Sequence, residues 1–150
     1  MEVSPAAIES NARTLLRHLK PGTQLMAVVK ADGYGHGAVT VAKAALRGGA
    51  SSLGVATLQE GLELRAAGIS APVLLLSALH GADDLACCHA HVLMPTLSSL
   101  EEASLCDRIS ADRGGKPFPV QLKVDTGMSR LGADWRIGAE PVSYTHLTLP

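Results

Sequence analysis

The chain has 150 residues, 47% of them hydrophobic, with 13 Lys and Arg against 14 Asp and Glu. That length can bury the core of one domain, and the even charge balance offers no footprint for nucleic acid or a membrane surface. Apolar runs such as PVLLLSAL are too short to span a bilayer, and MEVSPAAIES lacks the pattern of a secretory leader. The three cysteines, Cys87, Cys88 and Cys106, argue against a disulfide framework and for reduced thiols in a cytoplasm.

Ser4 can cap a helix with Pro5 at its first position. Ile8, Ala12, Leu15, Leu16 and Leu19 follow at helical spacing until Pro21-Gly22 stops it. QLMAVVK then reads as a strand, GAVTVAKAALRGG as a helix, and SLGVA as a second strand. TLQEGLELRAAG is a helix with Thr57 as cap and Gly68 as stop. PVLLLS gives a third strand, GADDLACCHA a helix, HVLMP a fourth strand, TLSSLEEASLCDR a helix and FPVQLKVD a fifth strand. Strands separated by helices imply right-handed crossovers and a parallel sheet covered on both faces. An open doubly wound sheet and part of a (β/α)₈ barrel both fit, and in both, function collects at the carboxyl ends of strands.

Lys30 falls at such an end. Alternation places Met26, Val28 and Lys30 on one face of QLMAVVK, and Leu25, Ala27 and Val29 on the other. An amine flanked there by apolar groups loses solvent. That favours its neutral, nucleophilic form and suits Schiff-base chemistry with a carbonyl. A lysine that merely ends a strand and reaches water is the commoner arrangement, so the loop behind it decides. In GYGHG, glycines let backbone approach a ligand, and Tyr34 offers a phenol for a phosphate or a ring. Gly33, Gly35 and Ala38 also match G-x-G-x-x-A, but Lys30-Ala31-Asp32 separates them from the strand. SLGVA also ends without the acidic residue that a dinucleotide ribose needs.

Further on, Gln121, Lys123 and Asp125 share one face of VQLKVD, with Val120, Leu122 and Val124 opposite. Polar groups on a buried strand need partners, so the row is either a packing cluster or part of a site. Arg130 follows a Thr-Gly turn, where a solvated arginine is the ordinary expectation. CCHAH lacks a second ligand pair at zinc spacing and reads as structural. His18 and His80 have no evident partner, and His36 can order the glycine loop. Asp83-Asp84 and Glu101-Glu102 read as solvated helix faces.

AVVKADGYGHG, LKVDTGMSRLG and the segment VATLQEGLELRAAGISAPVLLL resemble the alanine racemases, which are pyridoxal 5'-phosphate enzymes with an N-terminal (β/α)₈ barrel. The likeness runs over about residues 2 to 137, with Gly33 where the family motif carries alanine, a harmless exchange on this reading. The resemblance implies about the first five βα units of a TIM-type barrel, without the C-terminal β-domain. It implies that Lys30 holds pyridoxal 5'-phosphate as a Schiff base and acts as acid and base on one face of alanine. Tyr34 would contact the cofactor phosphate, and Arg130 would hold the cofactor's phenolic oxygen and the substrate carboxylate. Lys123 matches a lysine that many members carry as a carbamate, an anion that would orient Arg130. The second base, a tyrosine from the partner subunit of a homodimer, lies outside this chain.

The implied product is D-alanine for peptidoglycan, made in the cytoplasm. A non-catalytic pyridoxal-phosphate carrier, or a racemase for another amino acid, is the alternative. After Trp135 the likeness fades, and VSYTHL, from Val142, is what one frame of a transposon-end sequencing adapter encodes. Residues 1–141 are therefore expected to be barrel and residues 142–150 a non-native tail. An unclosed barrel leaves parallel edges unpaired, so the 150-residue chain alone is expected to be poorly soluble and inactive.

Overall fold

The computed structural model describes residues 3–79, 81–134 and 136, so His80 and the expected tail from residue 142 lie outside the described residues. The chain divides into two compact units, residues 1–74 and 75–150.

In the first unit, α1 (Pro5–His18) begins where the sequence places it. The Ser4 hydroxyl accepts from the Ala7 amide and Pro5 occupies the first turn. β1 (Met26–Val28) pairs in parallel with β2 (Ser52–Val55), Met26 opposite Ser52 and Val28 opposite Gly54. β3 (Val73–Leu75) flanks β2 on its other side. Between β1 and β2 lie α2 (Lys30–Gly35), a single unusual turn, and α3 (Ala38–Arg47). α4 (Leu58–Ala66) follows with Thr57 as its cap, and Arg65 Nη1 fastens the loop to β3 by donating to the Ile69 and Ala71 carbonyls. The core comprises fully buried Val29, Leu53, Val55, Leu64 and Val73. Gly48 and Gly49 let α1 lie close to the end of α3. A Cβ on Gly48 would stand 2.6 Å from both Ala12 Cβ and the Glu9 carbonyl, and one on Gly49 2.6 Å from Leu16 Cδ1.

In the second unit, α5 (Ala82–Ala90) packs against α6 (Leu100–Asp112) around Leu85, Leu97, Ala103 and Cys106. β4 (Thr96–Leu97) pairs in parallel with β5 (Gln121–Leu122). β6 (Val124–Asp125) pairs in parallel with β7 (Ala133–Asp134). Buried Thr96 donates its hydroxyl to the Leu75 carbonyl at 2.6 Å, as a buried polar group requires.

The alternation of strands and helices is as the sequence implies, but four boundaries are corrected. QLMAVVK is a strand only over Met26–Val28, so Lys30 follows the strand instead of closing it. HVLMP joins the sheet only at its end. His91 and Val92 complete the turn out of α5, with Val92 at φ 53, and pairing begins at Met94, whose carbonyl accepts from the Leu75 amide at 2.8 Å, before Thr96–Leu97 pairs with β5. The next helix therefore starts at Leu100, capped by Ser99, not near Thr96. The fifth strand is interrupted at Lys123, leaving β5 and β6 as separate pairs. Among the described residues no helix is long and apolar enough to cross a membrane.

Candidate functional site

In the first unit the parallel ladder continues one residue past β1, where the Val29 amide donates to the Gly54 carbonyl at 2.8 Å. The alternation expected of this segment holds. Val29 is fully buried, while Met26 and Val28 lie on an open face, each 39% exposed. Lys30 comes next, half-buried. The chain then turns left-handed. Ala31 (φ 51, ψ 53), Asp32 (φ 51, ψ 49), Gly33 (φ 61, ψ 37) and Tyr34 (φ 55, ψ 41) all occupy the left-handed helical region. Only Gly33 enters it without steric cost; for the other three the Cβ crowds the following carbonyl.

Strain of this kind persists only where surrounding bonds over-determine the backbone, and here they do. The Gly33 amide donates to the Val29 carbonyl at 2.9 Å, and the Gly37 amide to the Asp32 carbonyl at 2.9 Å. Asp32 Oδ1 accepts from the Ala38 amide at 2.7 Å, so its side chain caps the start of α3. His36 Nδ1 lies 3.1 Å from the Gly33 carbonyl. A carbonyl can only accept, so Nδ1 carries the proton, and His36 orders the loop as the sequence suggests. Glu60 Oε1 accepts from the Ala31 amide at 2.7 Å across 29 residues of sequence. The turn leaves Tyr34 59% exposed beside Gly35, where a Cβ would meet nothing within 4 Å. A half-buried primary amine next to an open apolar face, with unobstructed space at Gly35 and an exposed phenol one turn on, fits an aldehyde that carries a phosphate.

In the second unit the polar row is partly buried: Lys123 and Asp125 are half-covered, and Gln121 is exposed. The expected apolar face is less regular, since Val124 is 38% exposed. The Lys123 backbone joins two ladders, its amide donating to the Leu97 carbonyl and its carbonyl accepting from Ala133, both at 2.8 Å. Asp125 Oδ1 accepts from the Gly127 and Ser129 amides, both at 2.9 Å, which curls the loop that presents exposed Arg130. Those donors, Ser129 first, hold the Asp125 carboxyl below the usual carboxylate range. Gly132 closes the loop at φ +128, where a Cβ would stand 2.7 Å from the Asp125 amide nitrogen.

A family model described as "Alanine racemase, N-terminal domain" matches residues 3–143. The chain belongs to this family. It is 57% identical, across 99% of its length, to the alanine racemase of Prochlorococcus marinus, and 47% identical, across 93%, to that of a Nostoc species. Among solved structures it is similar to alanine racemase from E. faecalis, with TM-score 0.81 and 40% identity over 87% of the chain. It is also similar to that of Clostridium difficile 630 in complex with cycloserine, with TM-score 0.80 and 31% identity over 93%. The chain spans between 35% and 42% of the length of these four relatives. The fold class that the motifs implied, part of an α/β barrel of parallel strands, holds.

Three further side chains matter that sequence reasoning passed over. Asp32 lies inside the first motif but looks like an ordinary loop acid. Glu60 and Glu102 follow Thr57 and Ser99 by three residues, the spacing of a capping box, and both boxes form. Glu102 is therefore not a solvated helix face: it accepts from the Ser98 amide at 2.6 Å and the Ser99 amide at 3.2 Å. Cys88 and Cys106 are buried, and burial pushes both thiols up to about 12, which keeps them protonated and inert.

Proposed function

We propose that this chain is the N-terminal part of a pyridoxal 5'-phosphate-dependent alanine racemase. The observation that carries the reading is Lys30, a half-buried amine beyond the end of a parallel strand, fixed by a strained turn inside the family's first motif. Strand ends of this kind are where α/β barrels place their chemistry. Bound pyridoxal phosphate would supply an electron sink that acidifies the substrate Cα–H.

In this reading Lys30 would hold the cofactor through Nζ, and the same Nζ would take the α-proton from one face of alanine, or return it there. Tyr34, with the open space at Gly35 beside it, would hold the phosphate. Arg130 grips the substrate carboxylate through two parallel N–H donors and also holds the cofactor's phenolic oxygen. Lys123, as a carbamate, would present an anion that orients Arg130; an intact-mass spectrum of fresh protein finding only bare lysine would remove that role. The full enzyme works as a homodimer in the cytoplasm, with the second base supplied by the partner subunit.

Borohydride treatment of the full-length protein loaded with pyridoxal phosphate, followed by peptide mapping, tests the assignment. The label is expected on Lys30 alone, and Lys30→Ala is expected to lose both label and racemisation. A label on any other lysine would refute the reading.

A further inference from the structure

We propose that Glu60, on α4, is a positioning residue for Lys30, a role that rests on the function proposed above. Its carboxylate is divided between two chain segments. Oε2 accepts from the Ala56 amide at 2.7 Å and the Thr57 amide at 3.1 Å, at the exit of β2. Oε1 accepts from the Ala31 amide at 2.7 Å, immediately after Lys30. Glu60 is thus more than the third residue of a capping box, whose requirements Oε2 and the Thr57 hydroxyl already meet. The second oxygen clasps the exit of β1 to the exit of its neighbour. The bond falls on Ala31, the first left-handed residue of the strained turn, and so fixes the direction in which Lys30 leaves the strand. A carboxylate suits the task because both oxygens accept, and charge-assisted bonds to backbone N–H are strong.

Glu60→Gln separates the two duties. Its single oxygen can keep the cap, but its amide group then faces the Ala31 N–H donor to donor. Thr57→Ala is the complementary control, since it weakens the cap and leaves the Ala31 bond in place. In full-length apoprotein, Glu60→Gln is expected to speed hydrogen exchange at the Ala31 amide by about tenfold, as loss of one charge-assisted bond implies. The concentration of pyridoxal phosphate that half-saturates borohydride labelling of Lys30 is expected to rise by about the same factor. Thr57→Ala should leave both readouts within about twofold of wild type. Wild-type protein provides a measurement that needs no variant: the Ala31 amide should exchange slowly although the residue is exposed. Fast exchange there in wild type, or unchanged labelling in folded Glu60→Gln, overturns the role of Glu60. A label away from Lys30 in wild type overturns instead the function on which it rests.

Discussion

Gly33 sits inside the left-handed turn, and Gly33→Ala tests what that position requires. The conformation is φ +61, ψ 37, where an L side chain costs roughly 1–2 kcal/mol. The new Cβ would also stand 3.0 Å from Val41 Cγ2 and 3.3 Å from the Ala38 nitrogen and Cα. Val41 is β-branched and stiff at χ1, and the Ala38 atoms are backbone, so neither withdraws easily. Alanine narrows the unfolded ensemble, which offsets about 0.4–1 kcal/mol. Strain and contact together exceed that gain, and the net expectation is a loss of about 1 kcal/mol. Urea denaturation of full-length protein measures it, with Val41→Ala and the double variant completing a cycle. The Gly33→Ala loss should shrink in the Val41→Ala background, because the 3.0 Å neighbour is gone. A Gly33→Ala protein as stable as wild type, or a cycle with no coupling, would refute this account of the turn.

At Gly48 the backbone is ordinary (φ -74, ψ -5), so Gly48→Ala tests packing alone. A Cβ 2.6 Å from both Ala12 Cβ and the Glu9 carbonyl forces α1 away from α3, and the expected loss is about 1–3 kcal/mol in urea denaturation. Asp125 gives a pH dependence. Its carboxyl is held below its ordinary value, so its contribution is complete above the usual carboxylate range and lost as pH falls through the lowered value. Protection of the Gly127 and Ser129 amides against hydrogen exchange, relative to the intrinsic rate at each pH, should therefore fall in acid. Asp125→Asn, whose carbonyl oxygen can accept the same bonds at any pH, should flatten that fall in protection; an unflattened profile would mean that another group controls the loop.

Much of the fold was legible because its signals are local. Ser4-Pro5 and Thr57 each announce a helix start that the structure keeps. SLGVA and PVLLLS are runs apolar enough to be strands buried on both faces. HVLMP misled because composition is blind to how many residues a chain needs to leave a helix: Val92, apolar but 67% exposed, belongs to the turn. The corrected start of α6 was available in Ser99 and Glu102, a capping-box spacing. Of the site, Lys30 stood out by its place after an apolar run. The left-handed turn did not, since Ala31 and Tyr34 have no local preference for that conformation. It is imposed by bonds to Glu60, to Ala38 and within the loop, and the Glu60 bond joins residues that are remote in sequence.

That turn holds three residues other than glycine in a conformation costing roughly 1–2 kcal/mol each. VVKADGYGHG is therefore not a portable cassette. Grafted onto another strand end without a carboxylate to receive the Ala31 amide and a helix start to receive Asp32, the same ten letters would relax to a right-handed path and aim their lysine elsewhere.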